Sequence, residues 1–366
     1  MMNILHLEAS PGWGGQEIRI LREAEGMRSR GHSVILCVMK GGGLVAEACK
    51  AGFTVYELDY HKRSWPITLM RLLAVMRRHR IDIVNSHSSL DSWIGGFAAK
   101  IMRIPIVRTR HLSTPIRPGW NSRILYGWLA DYVVTTCAAI LPMICKQSGK
   151  PLIRTKSIPT GVDPARMEFS EGAAREFRRS LNVGENDFFV GTACFMRSWK
   201  GINDFLDAAK ILSERKNLKW VIIGGGHEEE YRKRAAALDL GNIVYFTGHL
   251  TNPIYAIAAL DAFALLSTAH EGVSQAILQA AYLGKPLIAT SVGGLCEVCL
   301  DGQTGITVAS FSPHQVAGAV EKLMKERNLC NCYGENARKL AYGQFTLQNM
   351  LDQMESVYCQ VVAGHL

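Results

Sequence analysis

The feature that most constrains the fold of this chain is a regular alternation of short apolar runs with helical stretches, separated by glycine-rich turns. Residues 3–8 form an apolar run, a glycine loop follows at 11–15, residues 16–30 show helical spacing, and further apolar runs lie at 33–38 and 53–58. Apolar strands that alternate with helices predict parallel pairing in a sheet covered on both faces, with right-handed crossovers. The first half is therefore predicted to be a doubly wound α/β domain.

The alternation restarts in the second half, after a polar segment at 164–187 that proline, glycine and asparagine interrupt. Further strands are predicted there at 188–194, 219–223, 243–246, 262–266, 286–289 and 305–308. A chain of 366 residues also exceeds what one ordinary core accommodates. We therefore expect two Rossmann-like domains, 1–165 and 166–345, followed by a C-terminal helix at 346–366 that could pack back on the first domain.

Charge is distributed unevenly between the two halves. Residues 1–165 hold 22 lysines and arginines against 11 acids, net +11, whereas the remainder holds 19 against 21, net −2. The basic side chains flank a helix predicted at 67–80 and surround His111; they include Lys62, Arg63, Arg77, Arg78, Arg80, Arg103, Arg108, Arg110, Arg117 and Arg123. An anionic partner is expected at the first half, unless these residues form an ordinary solvated face. Nucleic acid fits less well, because no aromatic-interleaved basic surface or nucleic-acid motif is present.

The chain shows no apolar run long enough to span a membrane and no secretory signal, so a cytoplasmic location is expected. Its ten cysteines lie mostly inside apolar runs, which is typical of free thiols in a reducing compartment. Cys296 and Cys299 could form a zinc site with Cys330 and Cys332. Small core residues are the better interpretation, since the second pair lacks the usual two-residue spacer.

Several motifs fall where predicted strands give way to helices, which is where doubly wound sheets bind ligands. Gly14 and Gly15 follow the first strand, although a plain tight turn would explain them equally well. Arg197 and Lys200 follow the first strand of the second half and could neutralise a diphosphate, or form a solvated pair. Loops containing Gly225 and Thr247 would lie beside a base or ribose, unless their glycines serve only the turn.

The most informative segment runs from 267 to 294. Glu271 lies in a loop between strand and helix, Ser274 can cap that helix, and Gln279 follows more than one turn later. The amides of Ser274, Gln275 and Ala276 would be available to an anion. Capping explains Ser274 but not the whole run, so this segment indicates a ligand site.

Along nearly its whole length the chain resembles the family 4 glycosyltransferases of the GT-B fold. The resemblance rests on Gly14-Gly15 with Gly31-His32, the His111 loop, 158–163, Lys200-Gly201, the Gly224 loop, 246–248, and the run from Glu271 to Gly294 with Glu297. It implies two Rossmann-like domains facing a cleft. It also implies a nucleotide-sugar donor bound by the second domain and hexosyl transfer with retention to an acceptor on the first. No cofactor or obligatory metal is implied.

The resemblance also implies roles for single residues. Glu271 should contact the donor sugar, Lys200 should hold the diphosphate, and His111 should face the sugar; we take these as the catalytic set. The substrate-binding set is Gly14, Gly15, Gln16, Arg197, Gly225, Thr247, Ser274, Gln275, Ala276 and Gln279.

Two positions depart from the family pattern. Gln279 stands where a ribose-binding glutamate is usual, but its amide oxygen can still accept a hydrogen bond. The usual arginine lies five residues before the lysine, where this chain has Phe195, while Arg197 lies three before it.

For the mechanism, we favour front-face attack, in which the departing diphosphate takes the acceptor's proton. The alternatives are a nucleotide-sugar epimerase or phosphorylase of similar fold, and a non-catalytic nucleotide-sugar-binding protein. The basic first half favours an anionic acceptor, such as a phosphate-bearing glycolipid of the lipopolysaccharide core, reached by peripheral contact at the inner face of the cell membrane.

Overall fold

The computed structural model describes residues 1–364, which form two compact units. The first comprises Met1–Thr160 together with the chain from Leu347 onward, and the second comprises Gly161–Thr346. Each unit contains one fully parallel sheet, with seven strands in the first and six in the second. The prediction of two Rossmann-like α/β domains is confirmed.

The first unit alternates strands and helices from its first residues onward. Its elements are β1 (Asn3–Glu8), α1 (Gly15–Ser29), β2 (Ser33–Met39), α2 (Gly43–Lys50), β3 (Thr54–Leu58), α3 (Trp65–Arg78), β4 (Ile83–Ser86), α4 (Ser89–Met102), β5 (Ile106–Arg110), α5 (Trp120–Ser122), β6 (Tyr132–Thr135), α6 (Leu141–Ser148), β7 (Thr155–Ser157) and α14 (Leu347–Ala363). The sheet order is β3-β2-β1-β4-β5-β6-β7. The order reverses between β1 and β4, which places their carboxyl ends at the switch point where such sheets bind ligands.

The final helix, α14, belongs to the core of the first unit. Met354 and Tyr358 are fully buried there. Gly26 allows α1 to approach closely, because a Cβ at that position would collide with the side chain of Leu351. Arg30, directly after α1, also donates a 2.6 Å hydrogen bond to Glu355.

The second unit repeats the architecture. Its elements are α7 (Glu171–Ser180), β8 (Phe188–Ala193), α8 (Ile202–Ile211), β9 (Leu218–Ile223), α9 (Glu228–Ala237), β10 (Val244–Phe246), α10 (Ile254–Ala258), β11 (Ala262–Leu265), α11 (Gln275–Tyr282), β12 (Leu287–Thr290), β13 (Gly305–Val308), α12 (Pro313–Lys325) and α13 (Arg327–Gln344). The strand order is β10-β9-β8-β11-β12-β13, so the switch point lies between β8 and β11.

The predicted strands of the second half are confirmed, but two helices were missed. Helix α7 lies inside the segment that was interpreted as a polar linker. Its turns bury only Ala174 and Phe177, and Ser170 caps it by accepting a 3.3 Å hydrogen bond from the amide of Ala173. Because most of its residues are polar or charged, its mean hydropathy is low and the segment has the composition of a loop. Helix α13 was the second that the pattern did not reveal.

The cysteines are free thiols, and among residues 1–364 no group of three or more histidine, cysteine or acidic side chains is arranged to hold a metal ion. Within the same residues, no helix combines the length and the apolar character needed to cross a bilayer.

Candidate active site

Lys200 lies just beyond the carboxyl end of β8, in a short 3₁₀ turn at Ser198–Lys200. Gly201 follows it with a φ of +67°, a conformation that favours glycine. A Cβ at Gly201 would also collide with the carbonyl oxygen of Leu266, just beyond β11. Glycine therefore allows the loop after β8 to pack against the end of β11, which brings Lys200 beside the segment that contains Glu271.

Lys200 and Glu271 form an ion pair through Nζ and Oε1. The Ser267 hydroxyl donates a 2.7 Å hydrogen bond to the same oxygen, and Glu271 is only 5% exposed. Thr290, at the end of β12, donates a 2.5 Å bond to the carbonyl of Ser267. The cation and the acid that the sequence suggested separately thus meet at one point. Because an ammonium has three protons, Lys200 can bond to Glu271 and still donate to a ligand.

Arg197 lies against two aromatic rings rather than against an acid. Its guanidinium carbon lies 5.1 Å from the ring centre of Phe195 and 5.2 Å from that of Trp199. Such stacking holds a guanidinium in place while leaving its edge available for hydrogen bonds. Arg197 is therefore positioned as a second cation of the loop that carries Lys200.

Backbone hydrogen bonds join the loops that follow β8, β9 and β10, two of which contain Gly225 and Thr247. The amide of Gly224 donates a 3.0 Å bond to the carbonyl of Gly248, and the amide of Met196 donates a 2.7 Å bond to the carbonyl of Gly225. The hydroxyl of Thr247 donates a 2.8 Å bond to the carbonyl of Gly248. Gly225 and Thr247 thus contribute to loop structure, whatever ligand they contact.

Helix α11 begins directly after Ser274. Ser274 occupies the N-cap position, but its hydroxyl makes no capping bond, which corrects the expected side-chain cap. Gln275 donates a 2.9 Å bond from Nε2 to the carbonyl of Gly161. Ala276 lies in the first turn, where backbone amides lack an acceptor within the helix. Gln279 is half-buried, and its side-chain amide makes no hydrogen bond to any side chain or backbone group of residues 1–364.

In the first unit, the loop after β1 is held by acids. The amide of Gly14 donates a 2.8 Å bond to Oε2 of Glu17, and Gln16 donates a 2.5 Å bond to Oε2 of Glu8. Gly15 begins α1, and a Cβ placed on it would have no heavy atom within 4 Å beyond its chain neighbours and the backbone of its own helix. Burial raises the pKa of Glu8. Gln16, which the sequence analysis predicted to contact a ligand, is therefore hydrogen-bonded to Glu8 in this structure.

His111 directly follows β5 and is half-buried. Its Nε2 lies 3.0 Å from Nδ1 of His87, whose Nε2 lies 2.9 Å from Nδ1 of His6. Burial lowers the pKa of all three imidazoles, and the positive charges of Arg19 and Arg108 lower that of His111 further. The three rings are therefore neutral near pH 7.

Comparisons with known proteins agree with this architecture. The model described as glycosyl transferases group 1 matches residues 173–340, and the model described as glycosyltransferase family 4 matches residues 13–166. The chain belongs to the family 4 glycosyltransferases. It is 24% identical to an uncharacterised glycosyltransferase of Methanocaldococcus jannaschii, over 94% of each chain.

This glycosyltransferase is also 25% identical to a capsular polysaccharide biosynthesis glycosyltransferase of Staphylococcus aureus, over 80% of each chain. Its fold matches an Anabaena protein solved in complex with UDP, with a TM-score of 0.87, 22% identity, and coverage of 98% of this chain and 100% of the other. The same Anabaena protein was also solved with UDP-glucose. These similarities lie with glycosyltransferases rather than with epimerases.

Within the second unit, the structure of this glycosyltransferase brings together Lys200 and Glu271, with Ser267 as an additional partner. In the first unit it adds His6 and His87 to the predicted His111. Sequence reasoning missed these three additional residues. A usable signal existed for His87, because it lies shortly after a mostly apolar run at 81–84, as His111 lies shortly after another at 104–107.

Proposed function

We propose that this glycosyltransferase moves a hexosyl group from a nucleotide-diphosphate sugar to an acceptor hydroxyl, with retention of anomeric configuration. The observation that carries this proposal is the Lys200–Glu271 pair, held by Ser267 beside the switch point of the second sheet. A cation at that place can bind a diphosphate leaving group. The UDP and UDP-glucose complexes of the Anabaena protein support a nucleotide-sugar donor.

In the proposed mechanism, the acceptor oxygen attacks the anomeric carbon on the face from which the diphosphate departs. The new carbon–oxygen bond forms as the bond to the diphosphate breaks, and a diphosphate oxygen takes the acceptor's proton. Lys200 and Arg197 would stabilise the negative charge on the leaving group, together with the first turn of α11. Glu271 would hold Lys200 in position and contact the sugar.

The donor is identified by measuring the unfolding temperature against a panel of nucleotide sugars, because a ligand of the native state raises stability with its affinity. Transfer and donor hydrolysis are then followed with the best ligand, and the anomeric configuration of the product is read by NMR. Donor binding without transfer or hydrolysis would indicate a binding protein instead. A product of inverted configuration would overturn the proposed mechanism.

We also propose that the reaction needs no divalent ion and no cofactor, since Lys200 and Arg197 provide cationic charge beside the proposed diphosphate site. Activity should therefore persist in EDTA. Complete loss of activity that manganese or magnesium restores would contradict this proposal.

For the acceptor, we propose a phosphate-bearing glycolipid of a bacterial surface glycan, such as the lipopolysaccharide core, reached at the inner face of the cell membrane. Helix α3 supports this: Leu72 and Met76 are buried, while Ile67 and Met70 are 65% and 67% exposed beside the exposed Arg71. Apolar side chains among basic ones suit an anionic membrane surface, where each lysine or arginine contributes about 1 kcal/mol. The capsular polysaccharide relative also supports a surface-glycan acceptor.

Cosedimentation with anionic vesicles tests the membrane contact. Binding should occur at low salt, weaken at high salt, and weaken further when Arg77, Arg78 and Arg80 are replaced by alanine. A variant with Lys210, Lys216 and Lys322 replaced by alanine removes three exposed charges from the second unit and is the matched control. Binding that is absent at low salt, or equal in both variants, would overturn the electrostatic argument.

A further inference from the structure

The three histidines of the first unit form a continuous line of hydrogen-bonded rings. His6 lies on β1, His87 directly follows β4, and His111 directly follows β5. These strands are neighbours in the sheet, so parallel pairing brings the three rings together near one edge. The ring centres are separated by 5.2 Å at each step, and the planes of the His6 and His87 rings are nearly parallel, at 8°.

Because the three imidazoles are neutral, each has one N–H and one lone pair. Two hydrogen bonds can then run through the line in only two ways. Either every ring donates toward His111, or every ring donates toward His6. The two arrangements leave Nδ1 of His111 with opposite character, since it carries a proton in the first and a lone pair in the second.

The far end of the line faces a buried acid. Nε2 of His6 lies 4.0 Å from Oε1 of Glu23, and both side chains are fully buried. The amide nitrogen of Asn85 donates a 3.1 Å bond to this oxygen, and the hydroxyl of Tyr358 donates to it as well. The hydroxyl of Thr109 donates to the amide oxygen of Asn85 at 2.9 Å, which orients that amide. Oε1 of Glu23 is therefore an acceptor.

We propose that Glu23 determines the direction of the line and thereby the tautomer of His111. An N–H at Nε2 of His6 points its positive end toward Oε1 of Glu23, whereas a lone pair there would face a second acceptor. His87 then donates from Nε2 to His6, and His111 donates from Nε2 to His87. Nδ1 of His111 is left with a lone pair, and no side chain or backbone group of residues 1–364 bonds to it.

This assignment gives His111 a defined chemical preference, and it deepens the proposed function on which it rests. An acceptor nitrogen binds a hydroxyl, such as that of a sugar, and disfavours a phosphate oxygen, which offers no proton at neutral pH. Glu23, His6 and His87 are thus positioning residues, because they act on the ligand through His111. The expected ligand group at Nδ1 is a hydroxyl of the donor sugar.

The tautomer can be measured without any ligand, by ring ¹⁵N NMR of protein labelled at histidine. The signals of His111 are assigned as those lost in His111→Gln. Wild-type protein should show a protonated Nε2 and an unprotonated Nδ1 at His111. A protonated Nδ1 in the wild type would overturn the inference.

A variant tests whether the line of rings controls the tautomer of His111. His6→Leu disconnects His87 from the acid and would leave Nε2–H of His87 buried without an acceptor, so His87 should reverse and His111 should gain a proton at Nδ1. Tyr358→Phe keeps the carboxylate and is the matched control, in which the tautomer should be unchanged. An unchanged tautomer in folded His6→Leu would overturn the control of the His111 tautomer through the line.

Donor kinetics separate this inference from the proposed function. His6→Leu should raise the donor KM by about tenfold, because Nδ1–H of His111 can no longer accept from the sugar. Loss of donor binding by every form of the protein, wild type included, would reject the proposed function while the tautomer result remained valid. The expected tautomers with an unchanged KM would overturn the assignment of the sugar hydroxyl to Nδ1.

Discussion

The two units share one topology but place different chemistry at the ends of their strands. In the second unit, the switch point between β8 and β11 carries opposite charges, Lys200 and Glu271. In the first unit, the corresponding edge of β1, β4 and β5 carries neutral imidazoles that bond to one another. The sheet topology that both units share therefore decides where ligand groups can lie. The residue types at the strand ends decide whether the site offers charge or directional hydrogen bonds.

The most severe test of this comparison removes the charges of the second unit. Lys200→Ala and Glu271→Ala should each lower turnover about a hundredfold or more while the protein stays folded, because the leaving group loses its cation or that cation loses its support. Turnover and circular dichroism are the measurements.

The control for these substitutions is another ion pair of the same unit. Lys233 and Glu229 lie 3.0 Å apart and are 77% and 85% exposed. Alanine at either position should leave turnover unchanged, since exposed pairs contribute little. Near wild-type rates for both Lys200→Ala and Glu271→Ala would remove the chemical distinction between the two units.

The first unit should differ from the second in how its stability depends on pH. Burial lowers the pKa of His87 well below 6.5, so the unfolded chain binds a proton there that the folded chain rejects. The free energy of unfolding should therefore fall as pH decreases below about 6.5. His87→Gln should make this fall shallower by up to about 1.4 kcal/mol per pH unit.

Denaturant unfolding between pH 7 and pH 5 measures this slope. His314→Gln, at an exposed position of the second unit, is the control and should leave the slope unchanged. Equal slopes for wild type and His87→Gln would mean that the histidine line is not neutral in the folded protein.

The smallest expected effect concerns Gln279. Gln279→Glu should keep substantial activity, because a carboxylate accepts from a ribose hydroxyl as an amide oxygen does. Gln279→Ala should raise the donor KM by a few-fold with little change in kcat, because only uniform binding is lost. Steady-state kinetics with varied donor measure both, and an unchanged donor KM in the alanine variant would refute the ribose role.

Much of the fold could be predicted because its signals are local. Strands such as β8 and β12 appear as apolar runs bounded by turn residues, and Gly201 marks the start of a helix. Helix α7 was missed because its sequence is mostly polar and charged and lies among Pro164, Gly184 and Asn186, which are typical of loops. Helix α13 was also missed although it buries Cys330, Tyr333 and Ala337, so the extent of burial alone did not decide which helices could be predicted.

The sequence by itself determined the class of fold, the family and the loops in which the site residues lie, since hydrophobic alternation and glycine turns act over a few residues. Only the tertiary structure decided the partners within those loops. Lys200 meets Glu271 across 71 positions, and His6 meets His87 across 81. A hydrogen bond forms only when donor and acceptor lie about 3 Å apart, and strand order and register decide which side chains come that close.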